Sequence, residues 1–356
     1  MGVLKAEAVA CTWTPFTKGR TVLQRTSNER AILVTGALGQ IGSELVPLLQ
    51  RRYGIENVIM SDLRRPTRCA ANNARHEALD CTDDQAVLDA VRRHNIGTIY
   101  HLAAMLSATA EREPQIAWRL NMGGLHNVLE AARQYGCRVF FPSTIGAFGP
   151  STPREQTPQV TIQRPTTLYG VTKVAGELLC DYYANRYGID TRGLRLPGVI
   201  SYKTAPGGGT TDYAIDMFHY AVRGETYGCF LTDHTRLDFM YMPDVLRAIL
   251  TLMEADGHRL RYRNAYNVTA MSLTPSQIAV EIRKHVPSFS VCYKIDPARQ
   301  AIADAWPNSL DDSAARIDWG WRPTFALPDM TKHMLQQLSS SSRRTRHHRL
   351  QSAAHQ

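Results

Sequence analysis

Tyr169 and Lys173 stand four residues apart in Tyr-Gly-Val-Thr-Lys, at the opening of a segment that reads as helix over about 167–187. That spacing puts a phenol and an ammonium on one helical face. Free tyrosine, with a pKa of about 10, is a poor base at neutral pH. A lysine cation and a second positive charge beside it would both favour the phenolate, and a fall of roughly two units needs only about 2.7 kcal/mol. The chemistry suggested is removal of a hydroxyl proton while hydride leaves the attached carbon. Taken alone, the same spacing fits a packed ring next to a solvated amine.

Ser143 and Thr144 follow the apolar run at 138–141. Hydroxyls at the C-terminal edge of a strand in a doubly wound sheet fall at its ligand crevice, where they can hold a substrate oxygen against the phenol. Either one also suits a role in turn backbone. Upstream, Thr35-Gly36-Ala37-Leu38-Gly39-Gln40-Ile41-Gly42 joins an apolar strand to a helix. Glycines at 36, 39 and 42 permit a tight turn and close approach to a pyrophosphate, and the helix N-terminus supplies N–H groups and a positive dipole end. Asp62 ends the second strand, twenty residues after Gly42. A carboxylate there accepts ribose hydroxyls and repels a 2′-phosphate, which predicts NAD rather than NADP. Arg64 and Arg65 follow directly, either as recruits for that phosphate or as a solvated basic turn.

These groups need a scaffold, and the pattern supplies one. Apolar strands are predicted near 31–35, 57–61, 98–102, 138–141 and 191–195, with amphipathic helices near 40–52, 83–93, 115–135 and 167–187. Such alternation predicts an α/β fold, a doubly wound parallel sheet of Rossmann type with helices on both faces. Residues 30–196 read as the dinucleotide-binding domain. After about 196 the pattern is irregular, and 197–325 read mainly as a smaller C-terminal substrate lobe interleaved with the last strands. The three glycines of Pro206-Gly207-Gly208-Gly209 predict a mobile lid ending at Asp212.

Composition narrows the function classes. The net charge of +9 sits at the ends: residues 1–30 carry +3 and those after Leu338 carry +4, leaving +2 for 31–338. A near-neutral body argues against nucleic acid as a partner. No apolar run reaches the roughly 18 residues of a membrane span, so no membrane partner is expected. Seven scattered cysteines without a C-x-x-C pair, and histidines without H-E-x-x-H spacing, predict neither a disulfide framework nor a metal site. The basic, Ser/Thr-containing residues 1–29 fit a mitochondrial transit peptide, with the cytoplasm as the alternative location. The Ser/Arg/His-rich residues 339–356 read as a disordered tail.

Together these residues resemble the extended short-chain dehydrogenase/reductase family over roughly 30–325. TGALGQIG resembles its glycine fingerprint, which implies cofactor contacts from Gly36, Leu38, Gly39, Gln40, Ile41 and Gly42. Asp80-Cys81 resembles the pair against adenine, and His101-Leu102-Ala103-Ala104 the cofactor segment of the fourth strand. Asn121 matches an asparagine on a helix facing the active site, and Leu196-Pro197-Gly198-Val199-Ile200 resembles the loop against the nicotinamide, with Leu196, Pro197 and Ile200 as contacts. The resemblance implies that Tyr169 is the general base and that Lys173 supports it electrostatically and binds ribose, with Thr144 and Ser143 holding the substrate oxygen.

Within the family, Pro142–Pro150, Gly207–Ala214 and Trp306–Ser313 resemble the branch that oxidises the 3-hydroxyl of L-threonine with NAD. This implies a small zwitterionic substrate met by Ser107, Thr144, Tyr169, Thr210 and Asp212, and no metal. Asp212 also suits a helix N-cap. One rival is a nucleotide-sugar epimerase or dehydratase on the same scaffold, with Lys203, Arg223 and Arg299 as candidate diphosphate ligands. Another is a redox-sensing protein that keeps NAD without turnover. Apolar residues on several faces of the helices near 115–135 and 167–187, among them Leu120, Leu125, Leu129, Leu178, Leu179 and Tyr182, predict a homodimer, since relatives pair these helices in an isologous bundle.

Overall fold

A computed structural model describes residues 30–65, 75–204 and 207–353, with side chains to Ser340. The extension 1–29 and its transit-peptide reading lie outside the described residues. The strands in chain order are β1 (Ala31–Thr35), β2 (Val58–Asp62), β3 (Arg75–Ala78), β4 (Ile96–His101), β5 (Arg138–Thr144), β6 (Thr191–Leu196), β7 (Gly198–Ile200), β8 (Tyr227–Cys229), β9 (Leu237–Tyr241), β10 (Tyr266–Asn267), β11 (Met271–Leu273) and β12 (Val291–Tyr293). The helices are α1 (Gly42–Tyr53), α2 (Asp84–Arg93), α3 (Ser107–Arg112), α4 (Pro114–Trp118), α5 (Gly124–Tyr135), α6 (Leu168–Tyr187), α7 (Tyr213–Arg223), α8 (Met242–Glu254), α9 (Pro275–Arg283), α10 (Pro297–Asp304), α11 (Ser313–Trp319) and α12 (Leu327–Ala353).

Seven strands form one sheet in the order β10-β6-β5-β4-β1-β2-β3, with every pair parallel. Because side chains alternate across a strand, near-continuous apolar runs must be covered twice. Leu33, Ile59, Ile99, Val139 and Phe141 pack on α2, α5 and α6. Their neighbours Ile32, Val34, Val58, Met60 and Phe140 pack on α1, α8 and α11. Each fully buried aliphatic side chain contributes about 1.5–3 kcal/mol. β10, α8 and α11 return to this sheet from the C-terminal half, while α7, α9 and α12 close a separate core around Phe218, Phe239, Ile278 and Met334. That second core carries the small sheets β7-β9-β11 and β8-β12.

Two features differ from the sequence expectation. The helix near 115–135 is α4 and α5 joined by a π-helical turn, Arg119–Gly123, which contains Asn121. The tail after Leu338 is not irregular: α12 continues through it to Ala353. After Pro328 this segment holds no glycine or proline to end a helix, and its arginines and glutamines favour one.

The chain order of the sheet reverses between β1 and β4. The crevice outside the C-terminal ends of strands at such a switch point is where a doubly wound sheet binds ligands.

Candidate active site

A cleft of about 1040 Å³, its open mouth included, lies at this switch point. Its floor is the loop after β1, with Gly36, Gly39, Gln40, Ile41 and Gly42, together with Leu102 and Ala104 after β4. Gly36 has φ +63°, and a Cβ on it would lie 2.7 Å from the Ala103 nitrogen, so only glycine lets the two loops touch. A Cβ on Gly39 would meet only the Gly36 carbonyl, at 3.2 Å, and would take up cleft space. The residues present therefore fit a pyrophosphate against backbone at the start of α1. Leu38 and Ala103 do not line the cleft. Ala103 abuts Gly36, and the Leu38 N–H donates to Asp62 Oδ2 at 3.1 Å.

Asp62 lies at the end of β2 and is buried. Arg64 folds back onto it: Nε donates to Oδ1 at 3.0 Å and Nη2 to Oδ2 at 3.2 Å. Burial pushes the carboxyl up, but hydrogen bonds from the Arg64 side chain and backbone and from Leu38 outweigh it and hold it below the ordinary value. The carboxylate thus binds Arg64 and the glycine loop at once, and a ribose would share it with Arg64.

α6 begins at Thr167, whose side chain accepts from the Gly170 N–H, and buries Tyr169, Lys173 and Glu177 along one face. A Cβ on Gly176 would come within 2.5 Å of the Phe141 ring, so glycine there lets α6 lie directly on β5. At that distance Lys173 Nζ donates to the Pro142 carbonyl at 2.8 Å. It lies 4.5 Å from the Phe141 ring centre and 5.6 Å from that of Tyr169. Burial pushes the Tyr169 phenol up to about 12, a rise partly offset by the Thr144 hydroxyl. Burial also lowers the Lys173 ammonium to about 8, against the opposing pull of Cys180 and Glu177. Desolvation thus raises the phenol and lowers the amine, so the phenolate expected from the Tyr169–Lys173 spacing is not favoured by these residues alone.

Ser143 and Thr144 both line the cleft beside Tyr169. Thr144 Oγ accepts from the Gly146 N–H at 3.1 Å. The Ser143 hydroxyl donates to Glu177. Glu177 is held by Arg195, whose Nη2 donates to Oε2 at 2.8 Å, and by Gln163 Nε2 at 3.0 Å. Across the cleft, the buried hydroxyls of Ser107 and Thr210 are 3.2 Å apart. Asp212 is the N-cap residue of α7, yet its side chain makes no capping bond. Instead Oδ2 accepts from the N–H groups of Gly208 and Gly209, at 2.8 and 2.7 Å, and pins the glycine loop. Burial raises its carboxyl, with those two amides opposing.

The structure thus gathers most of the expected residues, Leu196 and Pro197 included, around one cleft. Besides Leu38 and Ala103, Asp62, Asp80, Cys81, Asn121 and Ile200 are absent from its lining. Asp80 Oδ1 closes a local turn by accepting from the N–H and the hydroxyl of Thr82, both at 2.8 Å. Cys81 is buried, and its thiol is pushed up to about 12 by burial. Asn121 accepts from the Met105 N–H at 2.8 Å and donates to the Met105 carbonyl and to Thr172 Oγ, both at 3.2 Å. Its amide is consumed in tying the Met105 loop to α6. Ile200 is fully buried in the C-terminal core.

Trp306, Leu106 and Ile145 line the cleft without having been singled out as site residues. Trp306 packs over the end of β5, since a Cβ on Gly146 would lie 3.3 Å from its ring. Leu106 stands beside the predicted Ser107, but Trp306 is brought in only by the C-terminal lobe. The Glu177–Arg195 pair also went unread; its one sequence signal is Glu177 one turn beyond Lys173 on the α6 face.

Residues 32–269 match the NAD dependent epimerase/dehydratase family. The chain belongs to that family, the extended short-chain dehydrogenases, and its cofactor is NAD. An uncharacterized epimerase/dehydratase of Staphylococcus saprophyticus is 53% identical over 307 residues, covering 86% of this chain and 96% of the relative. A GalE-like L-threonine dehydrogenase from Cupriavidus necator in its holo form is 53% identical with a TM-score of 0.84, over 86% of this chain and 99% of that one. A monomeric L-threonine 3-dehydrogenase from a metagenome is 46% identical with a TM-score of 0.84, over 87% and 99%. The mitochondrial expectation is overturned, because close relatives are proteins of staphylococci, which have no mitochondria. A basic stretch with hydroxyl residues is a compositional signature, and composition alone does not define an import signal.

Proposed function

We propose that this protein oxidises the 3-hydroxyl of L-threonine with NAD, giving 2-amino-3-oxobutanoate and NADH. The observation that carries the reading is the meeting, in one cleft, of the Tyr169–Thr144 pair with Ser107, Thr210 and Asp212. The first pair suits an alcohol about to lose its proton; the second group offers hydroxyl donors for a carboxylate and a carboxylate for an ammonium. Gly36, Gly39, Gln40, Ile41 and Gly42 hold the dinucleotide, with Asp62 and Lys173 at its riboses. NAD when bound supplies the hydride acceptor and a further positive charge beside the phenol. Once the positive charges of Lys173 and of the bound dinucleotide together release the phenol's own proton to solvent, Tyr169 as phenolate would take the hydroxyl proton while Thr144 fixes the oxygen. Leu106, Ile145 and Trp306 give the alkyl end an apolar wall and keep water away.

The nucleotide-sugar rival loses its diphosphate ligands. Lys203 pairs with Glu44 and Arg223 with Glu225, Arg299 lies over the Phe230 ring, and none of the three lines the cleft. The test is NADH formation from L-threonine run beside UDP-glucose turnover; activity on the sugar nucleotide alone would overturn the reading.

The protein pairs as a homodimer in the same proposal, through α4 and α6. Leu125 and Leu129 face their own core, but Leu178 and Tyr182 stand exposed on α6 with Val171, and Ile116 and Trp118 on α4.

A further inference from the structure

From the bonding of Ser143 we infer that Ser143 and Glu177 form a selector for the substrate's ammonium group, an assignment that rests on the threonine reading above. A serine hydroxyl has one hydrogen to donate and two lone pairs. The Ser143 hydrogen is directed away from the cleft, onto Glu177. Glu177 cannot release it by turning, because both carboxylate oxygens are fixed. Arg195 Nε donates to Oε1 at 3.0 Å, Nη2 donates to Oε2 at 2.8 Å, and Gln163 Nε2 donates to Oε2 at 3.0 Å. Arg195 is locked in turn: Nη1 donates to the Gln159 carbonyl at 2.8 Å and to Asn267 Oδ1 at 3.2 Å, and its guanidinium stacks 5.2 Å from the Phe148 ring centre.

Ser143 nevertheless lines the cleft. What it presents there is lone pairs alone, in a buried setting where an unpaired acceptor is costly. It therefore requires a donor from the ligand. The reacting hydroxyl cannot be that donor, since its one proton goes to Tyr169. Thr144, the adjacent residue, is placed differently: its oxygen accepts from the Gly146 N–H, and its hydroxyl lies beside the Tyr169 phenol in the cleft. The two neighbouring hydroxyls thus differ: Thr144 keeps its one hydrogen for the place where phenol and reacting oxygen meet, whereas Ser143 spends its hydrogen on Glu177 and can only accept there. In threonine the group on the carbon next to the alcohol is an ammonium, a donor at that separation. Ser143 is then a second acceptor for it alongside Asp212, and Glu177 is the positioning residue that fixes the polarity of Ser143.

The experiment compares kcat/KM for L-threonine with that for 3-hydroxybutanoate, which is threonine without its ammonium. The unmutated protein, S143A, E177Q and the double variant are measured, with thermal melts and NADH binding alongside. In S143A, which leaves the buried ion pair intact, the preference for threonine should fall about tenfold or more, the value of one hydrogen bond to a charged group. NADH binding should be unchanged. E177Q should lower the same ratio and have no further effect in the S143A background. If E177Q does not fold, E177D replaces it, keeping a charge for Arg195 but withdrawing from Ser143. An unchanged ratio in S143A, equal loss for both substrates, or multiplying effects of the two substitutions would each overturn the assignment. No turnover of threonine by the unmutated protein would overturn the threonine reading and this one together; the other outcomes touch this one alone.

Discussion

Replacing Lys173 by methionine should abolish turnover and yet make the cofactor-free protein more stable near neutral pH. The side chain is 4% exposed. Desolvation lowers its ammonium from an ordinary 10.5 to about 8, against Cys180 and Glu177, which pull the other way. The folded state thus holds this proton less firmly than the unfolded chain does. Stability associated with the neutral amine is present above pH 10.5 and is lost as the pH falls through 8. At about 1.4 kcal/mol per pKa unit, charging the buried amine costs roughly 3 kcal/mol at pH 7. Methionine removes that cost, but it strands the Pro142 carbonyl that accepts from Nζ at 2.8 Å, a loss of about 1–2 kcal/mol. The net gain at pH 7 should be about 1–2 kcal/mol, with the order reversed near pH 10.5. Urea unfolding of the two proteins at both pH values measures this directly, since titrations elsewhere cancel in the difference. A variant less stable than its parent at pH 7, or a difference that ignores pH, would refute the argument that burial tunes this lysine at the expense of the fold.

Tyr169→Phe should lose on the order of 10²–10⁴-fold in kcat while NADH titrates as before; retention of a tenth of the activity would remove the general-base role. Asp62→Ala frees Arg64 from its carboxylate and should narrow a strong preference for NAD, read as the ratio of kcat/KM for NAD and NADP. Equal use of both cofactors by the unmutated protein would sink that argument. Leu178→Glu with Tyr182→Glu should halve the mass seen by light scattering at micromolar concentration, and a monomer before mutation would dismiss the α4–α6 pairing.

The sequence by itself determined everything that depends on a few neighbouring residues. The glycine spacing at 36, 39 and 42, the Tyr169–Lys173 interval and the apolar strands are local patterns. Local sterics and helical periodicity translate them into a loop, a shared helix face and a sheet. It missed β3 and β10, short strands of four and two residues at the sheet edges whose pairing is set by neighbours. Tertiary structure alone decided which way polar groups point. Asp212 fits an N-cap in sequence, but its loop turns the carboxylate onto the amides of Gly208 and Gly209. Asn121 lies on the expected helix, yet the π turn carries its amide to Met105 and Thr172 instead of the cleft. Lys173 reads as a source of phenolate, but its own burial and that of Tyr169 push the two pKa values apart. Desolvation and hydrogen-bond direction depend on what surrounds a group on every side, and for Ser143 those surroundings are Glu177 and Arg195, 34 and 52 residues further along the chain.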